Sequence, residues 1–258
     1  MRIIDTHCHL NDETLYKDLD NVISRAQSAG VEKMVVIGWD KASSELAIKI
    51  AEQYDFVYAV IGFHPENIFD INEEVLYETL NLCKHPKVVG IGEIGLDYHW
   101  SKEPEKRELQ KKYFIKQIDF ANKVGLPISI HNRDAFADTL TILKEHKPLH
   151  GGVMHCYSGS VENINDIINL GLYIGLGGPI TFKNAKTPKE VAAEVPLEKL
   201  VVETDCPYLA PHPLRGTVNE PANISLIVDA IAEARDMSKK HLLDVLYQNS
   251  CKLFNLWN

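Results

Sequence analysis

Nowhere in the 258 residues is there an uninterrupted apolar run close to the ~20 residues a membrane-spanning helix needs. The Met-Arg-Ile-Ile-Asp start puts an acid at position 5 and leaves no room for the apolar segment of a secretory signal. The expected compartment is therefore the cytoplasm, and no membrane contact is expected. The five cysteines, Cys8, Cys83, Cys156, Cys206 and Cys251, are odd in number, scattered, and contain no CxxC pair. This excludes a disulfide framework and a zinc-thiolate site and fits a reducing compartment. Positive charge is also scarce: 27 Lys and Arg face 36 Asp and Glu, a formal net charge of −9. A dedicated nucleic-acid binder is expected to carry a basic face, so net charge alone argues against one. Bound divalent cations offer a way round, because they invert the local sign inside an acidic protein. Linkers rich in Pro, Gly or Ser and low-complexity tracts are absent, and 45% of residues are hydrophobic. That composition excludes a disordered chain, and residues 1–258 read as one domain.

What the sequence does contain is a repeated pattern. Eight short apolar runs read as strands: Arg2–His7, Lys33–Gly38, Val57–Gly62, Val88–Gly92, Pro127–His131, Gly152–His155, Leu172–Leu176 and Leu200–Glu203. Amphipathic stretches alternate with them: Leu15–Ala29, Ser43–Tyr54, Glu73–Cys83, Glu105–Val124, Ala135–His146, Val161–Leu170 and Pro188–Val195, with Ile224–Arg235 and Lys239–Tyr247 closing the chain. Eight strand–helix units in this length predict an α/β fold, a single-domain (β/α)8 TIM barrel. A doubly wound open sheet is the competing architecture. The first strand–helix turn, Asp5-Thr6-His7-Cys8-His9, has no glycine, which argues against a dinucleotide-binding fold.

The strand ends carry the chemistry. The runs end in His7 and His9, in His64-Pro65, in Glu93 and Asp97, in His131-Asn132-Arg133, in His155-Cys156 and in Glu203-Thr204-Asp205. In a (β/α)8 barrel these ends converge on one mouth, where active sites sit. Side chains alternate along a strand, so His7 and His9 share a face and Cys8 points away into packing. Either histidine alone has an ordinary structural reading, and so do His131 and His155. Together His7, His9, Glu93, His131, His155 and Asp205 suffice for two divalent metals ~3.5–4 Å apart. The expected division puts one metal on His7, His9 and Asp205 and the second on His131 and His155, with Glu93 bridging. His64 has two readings, a hydrogen-bond partner for a substrate oxygen or a structural turn. His85, His146, His150 and His241 read as solvated, and Cys156 and Cys206 as packing.

The segments Asp5-Thr6-His7-Cys8-His9-Leu10, Gly92-Glu93-Ile94-Gly95-Leu96-Asp97-Tyr98, His155-Cys156-Tyr157-Ser158-Gly159 and Glu203-Thr204-Asp205-Cys206-Pro207-Tyr208-Leu209-Ala210-Pro211 strongly resemble the TatD family of metal-dependent deoxyribonucleases. Arg215-Gly216 and Asn219-Glu220-Pro221 fit the same pattern, and the match runs from Ile4 to Asn249. Asn132 and Cys206 stand where serine is commoner, and neither change removes a ligand. The resemblance implies an amidohydrolase-like barrel that hydrolyses DNA phosphodiesters, and it implies the same six metal ligands.

On that reading DNA is the substrate, cleaved by a water that two metals (Zn, Mg or Mn) activate, and exonucleolytic cleavage is expected. Asp205 and Glu93 are the catalytic carboxylates, Asp205 as metal ligand and general base. His64, Arg133, Tyr157, Glu203 and Arg215 are the candidate substrate contacts. Arg215 would fork onto a phosphate and Tyr157, like Tyr98, would stack on a base. Glu203 is equally a support for a ligand, and packing accounts equally well for both tyrosines. Another hydrolase on the same site, a D-aminoacyl-tRNA deacylase or a small-amide hydrolase, is the competing activity. A catalytically silent scaffold would be missing a ligand, and all six are present. No dedicated protein partner is indicated.

Overall fold

Val and Ile dominate the short runs, and their stiff branched side chains suit a pleated sheet buried on both faces. A computed structural model of the chain describes residues 2–257. The strands are β1 (Ile3–Cys8), β2 (Val31–Ile37), β3 (Val57–Ile61), β4 (Val88–Asp97), β5 (Ile128–Arg133), β6 (Gly152–Met154), β7 (Leu172–Leu176) and β8 (Leu200–Val202). They form one sheet in sequence order, every neighbouring pair parallel. Around them lie α1 (Glu13–Tyr16), α2 (Leu19–Ser28), α3 (Lys41–Gln53), α4 (Glu73–Leu80), α5 (Pro104–Val124), α6 (Phe136–Glu145), α7 (Ile164–Asn169), α8 (Lys186–Glu194), α9 (Ile224–Ala234) and α10 (Lys239–Phe254). The fold is the expected single-domain (β/α)8 barrel.

The seam between β8 and β1 is closed by a web of hydrogen bonds. Thr6 Oγ1 donates to the Val202 carbonyl at 2.9 Å, the Asp205 N–H to the His7 carbonyl at 2.9 Å, and the His9 N–H to the Cys206 carbonyl at 2.8 Å. The main core lies between the strands and their surrounding helices. A second cluster draws Ile4, Val35, Val60, Val153 and Val201 onto Tyr247, Cys251, Phe254 and Leu256. Lys33 at the start of β2 reaches the Leu256 carbonyl at 2.5 Å. The C-terminal segment therefore plugs the bottom of the barrel and leaves the opposite mouth open.

Three boundaries differ most from the sequence reading. The stretch expected as one helix over Leu15–Ala29 is divided, because Asp12 caps α1 through the Thr14 N–H and Asp18 begins α2 afresh. The last helix runs on to Phe254, since Asn249 and Ser250, polar residues that look like an end, are buried and bonded. Asn249 Nδ2 donates to the Leu197 and Leu200 carbonyls, both at 2.7 Å. Strand β4 does not stop at Gly92 but continues to Asp97, paired along β5 as far as Arg133. That extension needs Gly95: at its φ of +149° a Cβ would sit 1.9 Å from the His131 carbonyl oxygen. No helix among the described residues is long and apolar enough to cross a membrane.

Candidate metal centre

Six side chains expected at the strand ends meet at the open mouth. His7 and His9 project from β1 and from the residue just past it, with their Nε2 atoms 3.2 Å apart. Asp205, in the left-handed region at φ 55°, turns Oδ1 to 3.3 Å from His9 Nε2 and 3.6 Å from His7 Nε2. Glu93 lies across the centre with its two oxygens facing different partners. Oε1 is 2.8 Å from both His131 Nδ1 and His155 Nε2. Oε2 is 3.7 Å from His7 Nε2 and 3.9 Å from His9 Nε2. The rings of His7 and His155 stack at 3.9 Å with 9° between their planes.

This density of imidazole nitrogens and carboxylate oxygens suits first-row divalent cations. Clusters of ligand atoms form at His7, His9 and Asp205, at His7, Glu93 and His155, and at His64, Asp97 and His131. The electrostatics follow from burial and crowding. Burial, then the neighbouring His155, drive His7 well below the ordinary histidine range. Burial opposes ionisation of Glu93 most strongly, yet His155 and His131 together hold its carboxyl well below the usual range. His155 moves the other way: against burial, Glu93 and Glu203 raise it well above an ordinary histidine.

The mouth is a cavity of about 870 Å³ whose walls include His9, Trp39, His64, Glu66, Glu93, Asp97, Trp100, His131, Arg133, His155, Cys156, Asp205 and Tyr208. His64 and Arg133 therefore stand where the sequence reading put them. Burial, then His131, push His64 down to about 3, so the ring is neutral. Its Nδ1 accepts from the Glu66 N–H at 3.2 Å, which leaves Nε2 carrying the hydrogen. Cys156, expected in packing, instead lines the wall, because it follows the strand end that carries His155; Cys8 and Cys206 are packed, as expected.

Three of the five candidate substrate contacts, Tyr157, Glu203 and Arg215, are not in the wall, and neither is Tyr98. Tyr157 is buried, its hydroxyl donating to the Ser160 carbonyl at 2.9 Å and its ring set against Phe136, so it has no free face for a base. Tyr98 is similarly spent on Asp138, to which it donates at 2.6 Å. Arg215 lies on the exposed loop after β8, its guanidinium stacked 4.1 Å over the Phe182 ring. Glu203 is wholly buried behind His155. Its Oε1 accepts from the Cys156 N–H at 2.5 Å and lies 3.5 Å from His155 Nδ1. Gly175 makes room for it, since a Cβ there would meet Oε2 at 2.6 Å. Glu203 thus supports a histidine and has no surface for substrate.

The sequence reading passed over Asp97 as a site residue and also Trp39 and Trp100. Trp39 follows the end of β2, which carries no histidine, so the strand-end rule alone would have placed it at the mouth. Asp97 is among the residues read at the end of the fourth run but carries no assigned role there, and Trp100 lies beyond that end, which the continuation of β4 to Asp97 brings to the mouth.

Comparisons with known proteins show the family. A family model described as TatD related DNase matches residues 4–255. The chain is 46% identical over 255 residues to the uncharacterized metal-dependent hydrolase YabD of Bacillus subtilis, covering 98% of this chain and 99% of that one. It is 35% identical over 260 residues to the uncharacterized metal-dependent hydrolase YcfH of Escherichia coli, covering 99% of this chain and 97% of that one. The crystal structure of YJJV, a TatD homolog from Escherichia coli, superposes with a TM-score of 0.92 at 30% identity, covering 98% of both chains. With nearly the whole chain matched and the four motifs gathered at one mouth, the chain belongs to the family of TatD related DNases.

Proposed function

We propose that the chain is a metal-dependent hydrolase that cleaves DNA phosphodiesters from a strand end. The observation that carries this reading is the imbalance of the mouth. Glu66, Glu93, Asp97 and Asp205 line it, and Arg133 is the one Lys or Arg among its described wall residues. Such a wall repels a phosphate unless cations reverse its sign. The two oxygens of Glu93 each face one pair of histidines, which supports two sites sharing this carboxylate. His7, His9 and Asp205 would hold one cation and His131 and His155 the other. Divalent cations in these positions lower the pKa of a water and neutralise charge on phosphoryl oxygens.

The protein's own groups then act around that chemistry. Asp205, at the mouth, takes the proton of the attacking water. His64 donates from Nε2 to a phosphoryl oxygen. Arg133 binds a phosphate, and Trp39, Trp100 and Tyr208 offer faces to unstacked bases. Trp100 and Tyr208 are 63% and 54% exposed, so their rings are accessible. A cavity of about 870 Å³ encloses a terminal nucleotide rather than a long duplex track, which favours exonucleolytic action.

The test is a substrate panel run after chelation and again with Zn, Mg or Mn restored. It includes linear single- and double-stranded DNA, circular DNA, misacylated tRNA and small amides. Metal-dependent shortening of linear DNA with circular DNA left intact is the expected result. Cleavage of circular DNA would remove the end requirement. Activity on tRNA or amides with none on DNA would overturn the nuclease reading in favour of another hydrolase on the same site.

A further inference from the structure

His131 presents two ring nitrogens to two different carboxylates. Nδ1 faces Glu93 Oε1 at 2.8 Å and Nε2 faces Asp97 Oδ2 at 3.0 Å. Asp97 is the last residue of β4, is 1% exposed, and is fixed on every side. Its N–H donates to Gln110 Oε1 at 2.9 Å, and Gln110 Nε2 donates back to its carbonyl at 3.2 Å. Its other carboxylate oxygen, Oδ1, accepts the backbone N–H groups of His99 at 2.9 Å and Trp100 at 3.2 Å.

We infer that Asp97 is a positioning residue that sets the tautomer of His131, so that Nδ1 is the nitrogen offered to a cation, while the same carboxylate shapes the turn that presents Trp100 to the cavity. This rests on the two-cation reading above. Its physical basis is that a ligating histidine must be unprotonated at the nitrogen that binds, and its other nitrogen then carries the hydrogen. A carboxylate is an acceptor only, so Oδ2 favours the hydrogen on Nε2. Partners of this kind orient the ring and raise its basicity as a ligand.

The same geometry dictates what Asp97→Asn does. The N–H groups of His99 and Trp100 require an acceptor, so the amide oxygen takes the place of Oδ1. The NH2 group must then face His131 Nε2. That nitrogen is forced to accept, the ring hydrogen moves to Nδ1, and the lone pair aimed at the Glu93 side is lost. The substitution keeps size, burial and the Trp100 turn, and inverts one hydrogen bond.

The experiment is a Mn2+ or Co2+ titration of the metal-stripped protein, read by calorimetry, on four proteins: wild type, Asp97→Asn, His131→Gln and the double variant. Wild type is expected to take up two equivalents. Asp97→Asn should keep one site and weaken the other by the ~10–100-fold typical of a lost supporting partner. In the His131→Gln background the same change should add nothing, because Asp97 acts through that ring. Two sites of unchanged affinity in Asp97→Asn would overturn the inference, as would an equal loss in both backgrounds. Three equivalents in wild type falling to two in Asp97→Asn would also overturn it, by making Asp97 a ligand itself. A wild type that takes up no metal would instead sink the two-cation reading. Unchanged melting of Asp97→Asn in chelator confirms that the loss is not misfolding.

Discussion

Asp5 and Thr204, 199 residues apart in the chain, are bound twice: the Thr204 N–H donates to Asp5 Oδ1 at 3.0 Å and its hydroxyl donates to Oδ2. This pair stitches β1 to the segment after β8, and it sets His7 beside Asp205. It is the reason a histidine from the first strand and a carboxylate from just past the last meet in one cluster. Asp5 is completely buried, and burial raises its carboxyl to about 7 in spite of the Thr204 bonds.

A pH dependence follows from that value. The folded carboxyl titrates at about 7, above the 3.8 of an ordinary aspartate. Stability from the protonated form is thus complete in acid and is lost as pH rises through that window. Asp5→Asn imitates the protonated acid, its oxygen accepting the Thr204 N–H and its amide donating to the hydroxyl. Melting of chelator-treated protein between pH 4.5 and 8 should show the variant gaining on wild type by several degrees, since ~1 kcal/mol moves Tm by about 2–4 °C at this size. A difference that stays constant with pH would refute the burial account.

Glu93→Ala should cost more than the roughly 10–100-fold in metal affinity that follows loss of a supporting group, because both pairs of histidines lose a shared carboxylate. Circular dichroism should show the barrel intact. Calorimetry that still finds two tight sites would contradict the bridging position.

Asp205→Asn keeps the side chain's shape and lowers its basicity. It is expected to reduce kcat by at least ~10²–10⁴-fold. The check is kcat measured at metal saturation, and near wild-type turnover there would remove Asp205 as the base.

Salt dependence tests the mode of DNA binding. With Arg133 the one Lys or Arg among the described wall residues and Arg215 held on Phe182, two or three phosphate contacts are expected. Each contributes a slope of about −0.9 for duplex or −0.7 for single strands in log K against log salt, giving about −1 to −3 in total. Binding to the Asp205→Asn variant at metal saturation, across a salt series, measures it. A slope steeper than about −6 would reveal an extended basic track. Arg133→Ala should raise KM more than Arg215→Ala does.

Phe254→Ala opens the plug at the bottom of the barrel. Large-to-small changes of this kind cost about 3–5 kcal/mol. Denaturant unfolding should show the loss while metal stoichiometry stays the same, because the plug and the mouth are at opposite ends.

The sequence by itself determined the architecture and the six side chains that meet at the mouth. Eight branched apolar runs alternating with amphipathic stretches admit few folds. Strand polarity then sends His7, His9, Glu93, His131, His155 and Asp205 to one mouth, because that follows from local order alone. Pairing and packing between distant segments decided the rest. The extension of β4 depends on Gly95 lying against the His131 carbonyl, a contact no local pattern announces, and it alone makes Asp97 and Trp100 part of the site. Asn249 and Ser250 look like helix ends until Leu197 and Leu200 supply acceptors for Asn249. Tyr157 and Arg215 sit in motifs beside the clustered histidines and carboxylates, yet Phe136 and Phe182 hold their side chains away from the cavity. Sequence position brings a backbone to the mouth, but only the neighbours that surround a side chain decide whether it faces the substrate or is spent on packing.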